Sequence, residues 1–95
     1  MKKKLTAILL ASQIAFAVNG TYESTKYVFC DSKKSLDEWT QFDIDNDKAS
    51  QKAYFGTKCF LLKEDISVSG IKTDWGKVSF FYGGYKLWGY REGIK

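Results

Sequence analysis

Residues 1–17, MKKKLTAILLASQIAFA, are expected to leave the chain, and that expectation sets the size of what remains to fold. Lys2, Lys3 and Lys4 form a charged start, and Leu5 to Phe16 form an apolar run broken only by Thr6, Ser12 and Gln13. Ala15 and Ala17 then place small residues where signal peptidase requires them. The run is about a dozen residues, short of the roughly 18–20 that span a bilayer as a permanent helix. Cleavage after Ala17 fits best; cleavage after Gly20, with Val18 three positions before the cut, gives a 1–20 leader instead. No Cys follows either point, so a lipid-anchored product is not indicated. The apolar residues run all round a helix rather than down one stripe, unlike an amphipathic helix of a folded domain. The expected location is periplasmic or secreted, with no permanent membrane span in the mature chain.

The leader also carries the apparent basic character. The chain has 15 Lys and Arg against 11 Asp and Glu, a net charge of +4; without Lys2, Lys3 and Lys4 the balance is 12 against 11, or +1. A nucleic-acid partner, which would call for a marked basic excess, is therefore not expected. What remains, fewer than about 80 residues, is one small domain at most.

A domain of this size buries a limited core and often carries a staple. Cys30 and Cys59 are the two cysteines, and an exported protein meets an oxidising compartment, so a Cys30–Cys59 disulfide is expected. Closing a loop of about 30 residues is worth on the order of 3.5 kcal/mol in the chain-entropy model. The rival readings fail on composition. Zinc needs about four ligands and a nucleophilic thiol needs a base, and the chain has no His.

Beyond the leader, the pattern divides into an extended lead-in over 18–34, a helical segment over 35–58 and a β segment over 59–95. Within the lead-in, Lys26 to Cys30 reads as a short strand or an extended approach. Ser35-Leu36-Asp37-Glu38 matches a capping box, with Leu36, Trp39 and Phe42 following on one stripe. A second short helix is expected from about Asp45 or Asn46 through Ala49, Ala53 and Tyr54, with Gly56 as its C-cap. Cys30 and Cys59 would then tie the ends of a helical hairpin. In the last segment, Ile66-Ser67-Val68-Ser69 alternates with period two, and Thr73-Asp74-Trp75-Gly76 reads as a turn. Lys77 to Tyr82 is expected as a strand with Val78, Phe80 and Tyr82 on one face. Gly83-Gly84 is a hairpin turn, and Tyr85 to Tyr90 returns. Arg91 to Lys95 suits a 3₁₀ turn or one edge strand.

The stretch from Cys59 to Ile94 resembles the bacterial SH3-like (SH3b-type) barrel found in small exported proteins. Phe60-Leu61-Leu62 stands for its opening strand, followed by Ile66-Ser67-Val68 and a Gly-containing hairpin into Val78-Ser79-Phe80. Gly83-Gly84 with Lys86-Leu87-Trp88-Gly89-Tyr90 is similar to the family's Gly-x-x-Gly-Trp-Val ending, departing from it at Gly89. The resemblance implies an α+β fold, an N-terminal helical hairpin followed by a small antiparallel SH3-like β-barrel. It also implies a non-catalytic binding module, often for peptidoglycan or peptides; fold alone does not fix function.

Catalytic chemistry finds little footing. Without His, the common general base and the Ser-His and Cys-His pairs are excluded. Carboxylates abound, but so small a domain offers little cleft for a glycosidase pair. Asp43-x-Asp45-x-Asp47 matches the first half of a calcium loop, then fails: Lys48 stands where Gly makes the turn and Tyr54 where a bidentate Glu belongs. No enzyme activity, metal or cofactor is expected.

Aromatic residues, 17% of the chain, are the strongest remaining signal. Adjacent Phe80, Phe81 and Tyr82 cannot all enter one core, because alternate strand residues face opposite sides. Phe80 and Phe81 are expected beneath the helices. Trp75, Tyr82, Tyr85, Trp88 and Tyr90 are the candidate ligand-binding residues, with Lys86 and Arg91 favouring an anionic or carboxylate-bearing ligand. The expected function is a non-enzymatic periplasmic or secreted binding module for an envelope protein, a peptide or a cell-wall glycan. The alternatives are a small exported inhibitor or exclusion factor, for which a rigid protruding loop at 43–47 or 73–76 would speak, and an accessory subunit of an envelope assembly.

Overall fold

The computed structural model describes residues 18–95. The leader expected over 1–17 lies outside these residues. Strand β1 (Gly20–Tyr22) and strand β2 (Phe29–Cys30) come first, then helix α1 (Lys33–Ile44) and helix α2 (Lys48–Tyr54). Strands β3 (Cys59–Phe60), β4 (Ile66–Asp74), β5 (Lys77–Tyr82) and β6 (Tyr85–Tyr90) follow, with a 3₁₀ turn over Arg91–Gly93. All six strands join one antiparallel sheet in the order β1-β4-β5-β6-β2-β3.

This corrects the expected helical hairpin followed by an SH3-like barrel. The sheet is not closed into a barrel; between β1 and the chain after the 3₁₀ turn there is one isolated bridge, Tyr22 to Ile94, rather than a ladder. The helices do not precede the β unit either. They are inserted between β2 and β3, because the sheet needs the lead-in: β2 lies between β6 and β3, and β1 extends the sheet beyond β4.

Helix α1 begins earlier than the capping-box reading placed it. Ser32, in extended conformation, is the N-cap, and its Oγ accepts from the Ser35 amide at 3.0 Å. Ser35 is thus inside the first turn and buried, while Glu38 accepts instead from the Tyr54 hydroxyl at 2.6 Å. Helix α2 starts at Lys48 because Asp47 caps it, accepting from the Ser50 amide at 3.1 Å and its hydroxyl at 2.7 Å. Those bonds hold the Asp47 carboxyl below the usual carboxylate range. Phe42 meets Tyr54 edge to face at 4.9 Å and packs the two helices together.

The sheet has a core on each face. Leu36 of α1 packs with Val28, Cys30 and Cys59, joined by half-buried Trp39, Trp88 and Tyr90. Cys30 and Cys59 are fully buried, stand opposite each other in the β2–β3 ladder and form the expected disulfide. On the other face, Phe29, Val78 and Phe80 pack with Ile66 and Val68 and with Tyr22 of β1. The expectation that the helices cover Phe80 and Phe81 changes here. Phe80 is buried, but away from the helices and against Tyr22 at 4.8 Å between ring centres, and Phe81 is 45% exposed, its ring against Gly70. Tyr82 does not share the burial of Val78 and Phe80; it is 41% exposed.

Tyr22 binds this core to the sheet's hydrogen bonding. β2 and β6 pair through Phe29 with Gly89 and Cys30 with Trp88, so Val28 and Tyr90 are next in register. There the Tyr22 hydroxyl steps in, donating to the Val28 carbonyl at 2.7 Å and accepting from the Tyr90 amide at 2.9 Å. The ring reaches that position across Gly89 and Gly93, where any β-carbon would run into it. That is why Gly stands after Trp88.

Candidate functional site

The turn between β4 and β5 carries the most unusual residue of the fold. Asp74 pairs with Lys77 across a two-residue loop of Trp75 and Gly76, with φ of 50° and 81°. Such loops demand positive φ at both central positions, which Asn and Gly adopt readily and bulky side chains do not. At the other end of the sheet the same kind of loop is built from Gly83 and Gly84, with φ of 59° and 84°. Trp75 is also 96% exposed, so packing does not hold its ring.

The base of this hairpin is tied down on both sides. Lys33 in the first turn of α1 reaches Asp74 at 3.0 Å, Lys77 pairs with Asp37 one turn further on, and the Arg91 amide donates to the Gly76 carbonyl at 2.9 Å. Exposed ion pairs of this kind add little stability singly. Together they fix the direction in which the tip points.

The seven candidate residues do not form one surface. Trp75 and the exposed Arg91 sit at one end of β5, while Tyr82 and Tyr85 flank the turn at the other end, roughly 17 Å away along five strand residues. Tyr85 is 72% exposed and Tyr82 borders a shallow recess of about 530 Å³ with Phe81, Ser67, Ser69 and Gly20. Trp88 and Tyr90 belong to the helix-covered core instead. The Tyr90 hydroxyl lies 2.7 Å from Thr40 Oγ1 and docks α1 on the sheet; burial pushes its phenol up from the ordinary value. Lys86 stands over the Trp88 ring at 5.6 Å, and Lys33 approaches the same ring at 6.0 Å.

No family model, curated protein or solved structure matches the chain.

Besides the expected residues, the fold gathers Lys33, Lys72, Asp74 and Ser79 beside Trp88, which reading along the chain did not connect. Lys72 pairs with Ser79, and Ser79 with Trp88, so the three form one row across β4, β5 and β6. Only the register of distant strands brings them together. The acidic run behaves otherwise than a calcium loop: Asp47 caps α2, Asp45 accepts from Gln41 at 3.0 Å, and Asn46 between them is left-handed with φ of 55°. Among the described residues no group of three or more His, Cys, Asp or Glu is placed to hold a metal ion, and no helix is long and apolar enough to cross a membrane.

Proposed function

We propose that this is an exported, non-enzymatic binding protein that engages an envelope protein by seating Trp75 in an apolar pocket of its partner. The observation that carries the reading is the conformation of Trp75. A left-handed backbone costs an ordinary residue about 1–2 kcal/mol, and the exposed indole returns none of it to the fold. Strain of this sort gathers at functional positions. A large aromatic side chain on a fixed turn loses little freedom on binding, which is what an interface anchor needs.

A tip fits a pocket, so among an envelope protein, a peptide and a cell-wall glycan the protein comes first. The shallow recess lined by Phe81 and Tyr82 is the better match for a peptide or glycan. A second reading follows from the same hairpin: a rigid protruding turn suits an inhibitor or exclusion factor that fills another protein's working site. Export is supported by the pattern of residues 1–17 and by the Cys30–Cys59 bond, which persists in oxidising compartments. Cleavage after Ala17 would leave β1 whole, whereas cleavage after Gly20 would remove the Val18 carbonyl that accepts from the Ile71 amide and the Gly20 partner of Val68.

The test is photo-crosslinking in cells. Benzoylphenylalanine at position 75 should trap one envelope protein, while the same group at position 53, on the exposed side of α2, should not. Position 75 giving no product beyond that of position 53 would overturn the reading.

A further inference from the structure

Helix α1 packs against β2, β3 and β6. Beyond Trp88 the face opens into a cleft of about 280 Å³ lined by Lys72, Thr73, Asp74, Ser79, Lys86 and Trp88. Asp74 is the carboxylate of that lining, and Lys33 already pairs with it at 3.0 Å. Among the described residues neither Lys72 nor Lys86 lies in an ion pair, though both are exposed at its rim. Two ammonium groups without counter-charges thus face one recess whose floor is the nearly buried Ser79. With Asp74 already neutralised by Lys33, the cleft carries a positive excess, and a concave surface with an excess of one sign focuses its field on whatever enters.

We propose that this cleft receives an acidic peptide segment of the partner protein, its carboxylates pairing with Lys72 and Lys86. The inference rests on the Trp75 reading for the partner being a protein, and Thr73 and Asp74 make the cleft continuous with that hairpin. A partner pocket that seats Trp75 would carry acidic residues on its rim. Acidic glycan is the weaker fit. A pyranose would need the face of Trp88, and the ammonium groups of Lys86 and Lys33 already stand over that ring at 5.6 and 6.0 Å. Lysines, as point charges on flexible stems, adapt to carboxylates at varied spacing without demanding the planar geometry that Arg imposes.

The probe is acetyl-hexaglutamate-amide, titrated into the ¹⁵N-labelled, disulfide-bonded protein and followed by amide and indole NMR shifts. The titration is run at about 0.15 M ionic strength, where exposed charges are screened beyond roughly 8 Å. Saturable shifts are expected at Lys72, Ser79, Lys86 and the Trp88 indole. The double variant Lys72→Glu/Lys86→Glu should weaken binding roughly tenfold while its spectrum shows an intact fold. Lys48→Glu/Lys52→Glu makes the same charge change on α2 and should leave the affinity within about twofold. Trp75→Asn should not alter hexaglutamate binding, so failure of the cleft and failure of the Trp75 reading are seen separately. Three results would each overturn the proposal: no saturable shift, an equal loss from the α2 pair, or tighter binding of an oligogalacturonate of equal charge.

Discussion

The hydroxyl of Tyr22 fills the hydrogen-bond position that Tyr90 would otherwise share with Val28, joining residues 68 positions apart. One side chain from the lead-in therefore completes the ladder between β2 and β6 and fills the core beneath it. Tyr22→Phe keeps the ring and leaves the buried Val28 carbonyl and the half-buried Tyr90 amide unpartnered. The expected cost is about 2–4 kcal/mol, a large share of the stability of a small domain. Urea unfolding followed by circular dichroism measures it.

The same residue sets a pH dependence. Burial pushes the Tyr22 phenol well above its ordinary value, against the opposing effect of the Tyr90 amide. Tyr90, through burial, and Tyr54, through its bond to Glu38, are raised as well. Raised tyrosines favour the folded state only while neutral. Their contribution is complete below about pH 10, where an unfolded tyrosine titrates, and is lost as pH rises from there towards the folded values. The urea midpoint should fall between pH 9 and pH 11, and fall less steeply in Tyr22→Phe. Parallel slopes would contradict the assignment.

Gly89→Ala should be costly for a residue so small. Its β-carbon would meet the Tyr22 ring and hydroxyl, and neither can retreat without breaking the hydroxyl's bonds to Val28 and Tyr90. Overpacking of this kind costs about 1–3 kcal/mol. In a Tyr22→Leu background the same substitution should cost clearly less, and that non-additivity, read from a double-mutant cycle, separates contact with Tyr22 from a general intolerance of alanine in β6.

The disulfide holds the helical insertion on the sheet. Cys30 and Cys59 close a loop spanning both helices, at a sequence separation of 29. Replacing both with Ser should cost about 2–5 kcal/mol and free α1 from the sheet before the β5–β6 hairpin opens. Mass spectrometry after alkylation should find no free thiol without reductant; two alkylated cysteines would contradict the bond.

What could be read along the chain was local. The β5–β6 hairpin announced itself through alternation around Gly83-Gly84, and two cysteines without His left one natural pairing. β2 lay within the stretch Lys26 to Cys30 read as a short strand or extended approach, whereas β1 was not legible, because three residues are too few for any period to repeat. Tyr22 gave no sign of its role, since Val28 and Tyr90 become its partners only once the sheet has formed. The basic cleft was hidden for the same reason: Lys33, Lys72 and Lys86 meet through a helix insertion and a strand register, not through spacing. The turn at Trp75 was visible in the sequence, whereas its left-handed backbone and bare indole were not.

The central claim is that Trp75 serves a partner at the expense of the fold, and Trp75→Asn tests both halves in one protein. Asn suits the left-handed position, so the variant should gain about 1 kcal/mol, or roughly 4–8 °C in Tm for a domain of this size. Its recovery of the envelope partner from extract should fall at least about tenfold, the loss expected of an aromatic anchor. A variant that is no more stable than the parent and captures the partner equally well would contradict the account.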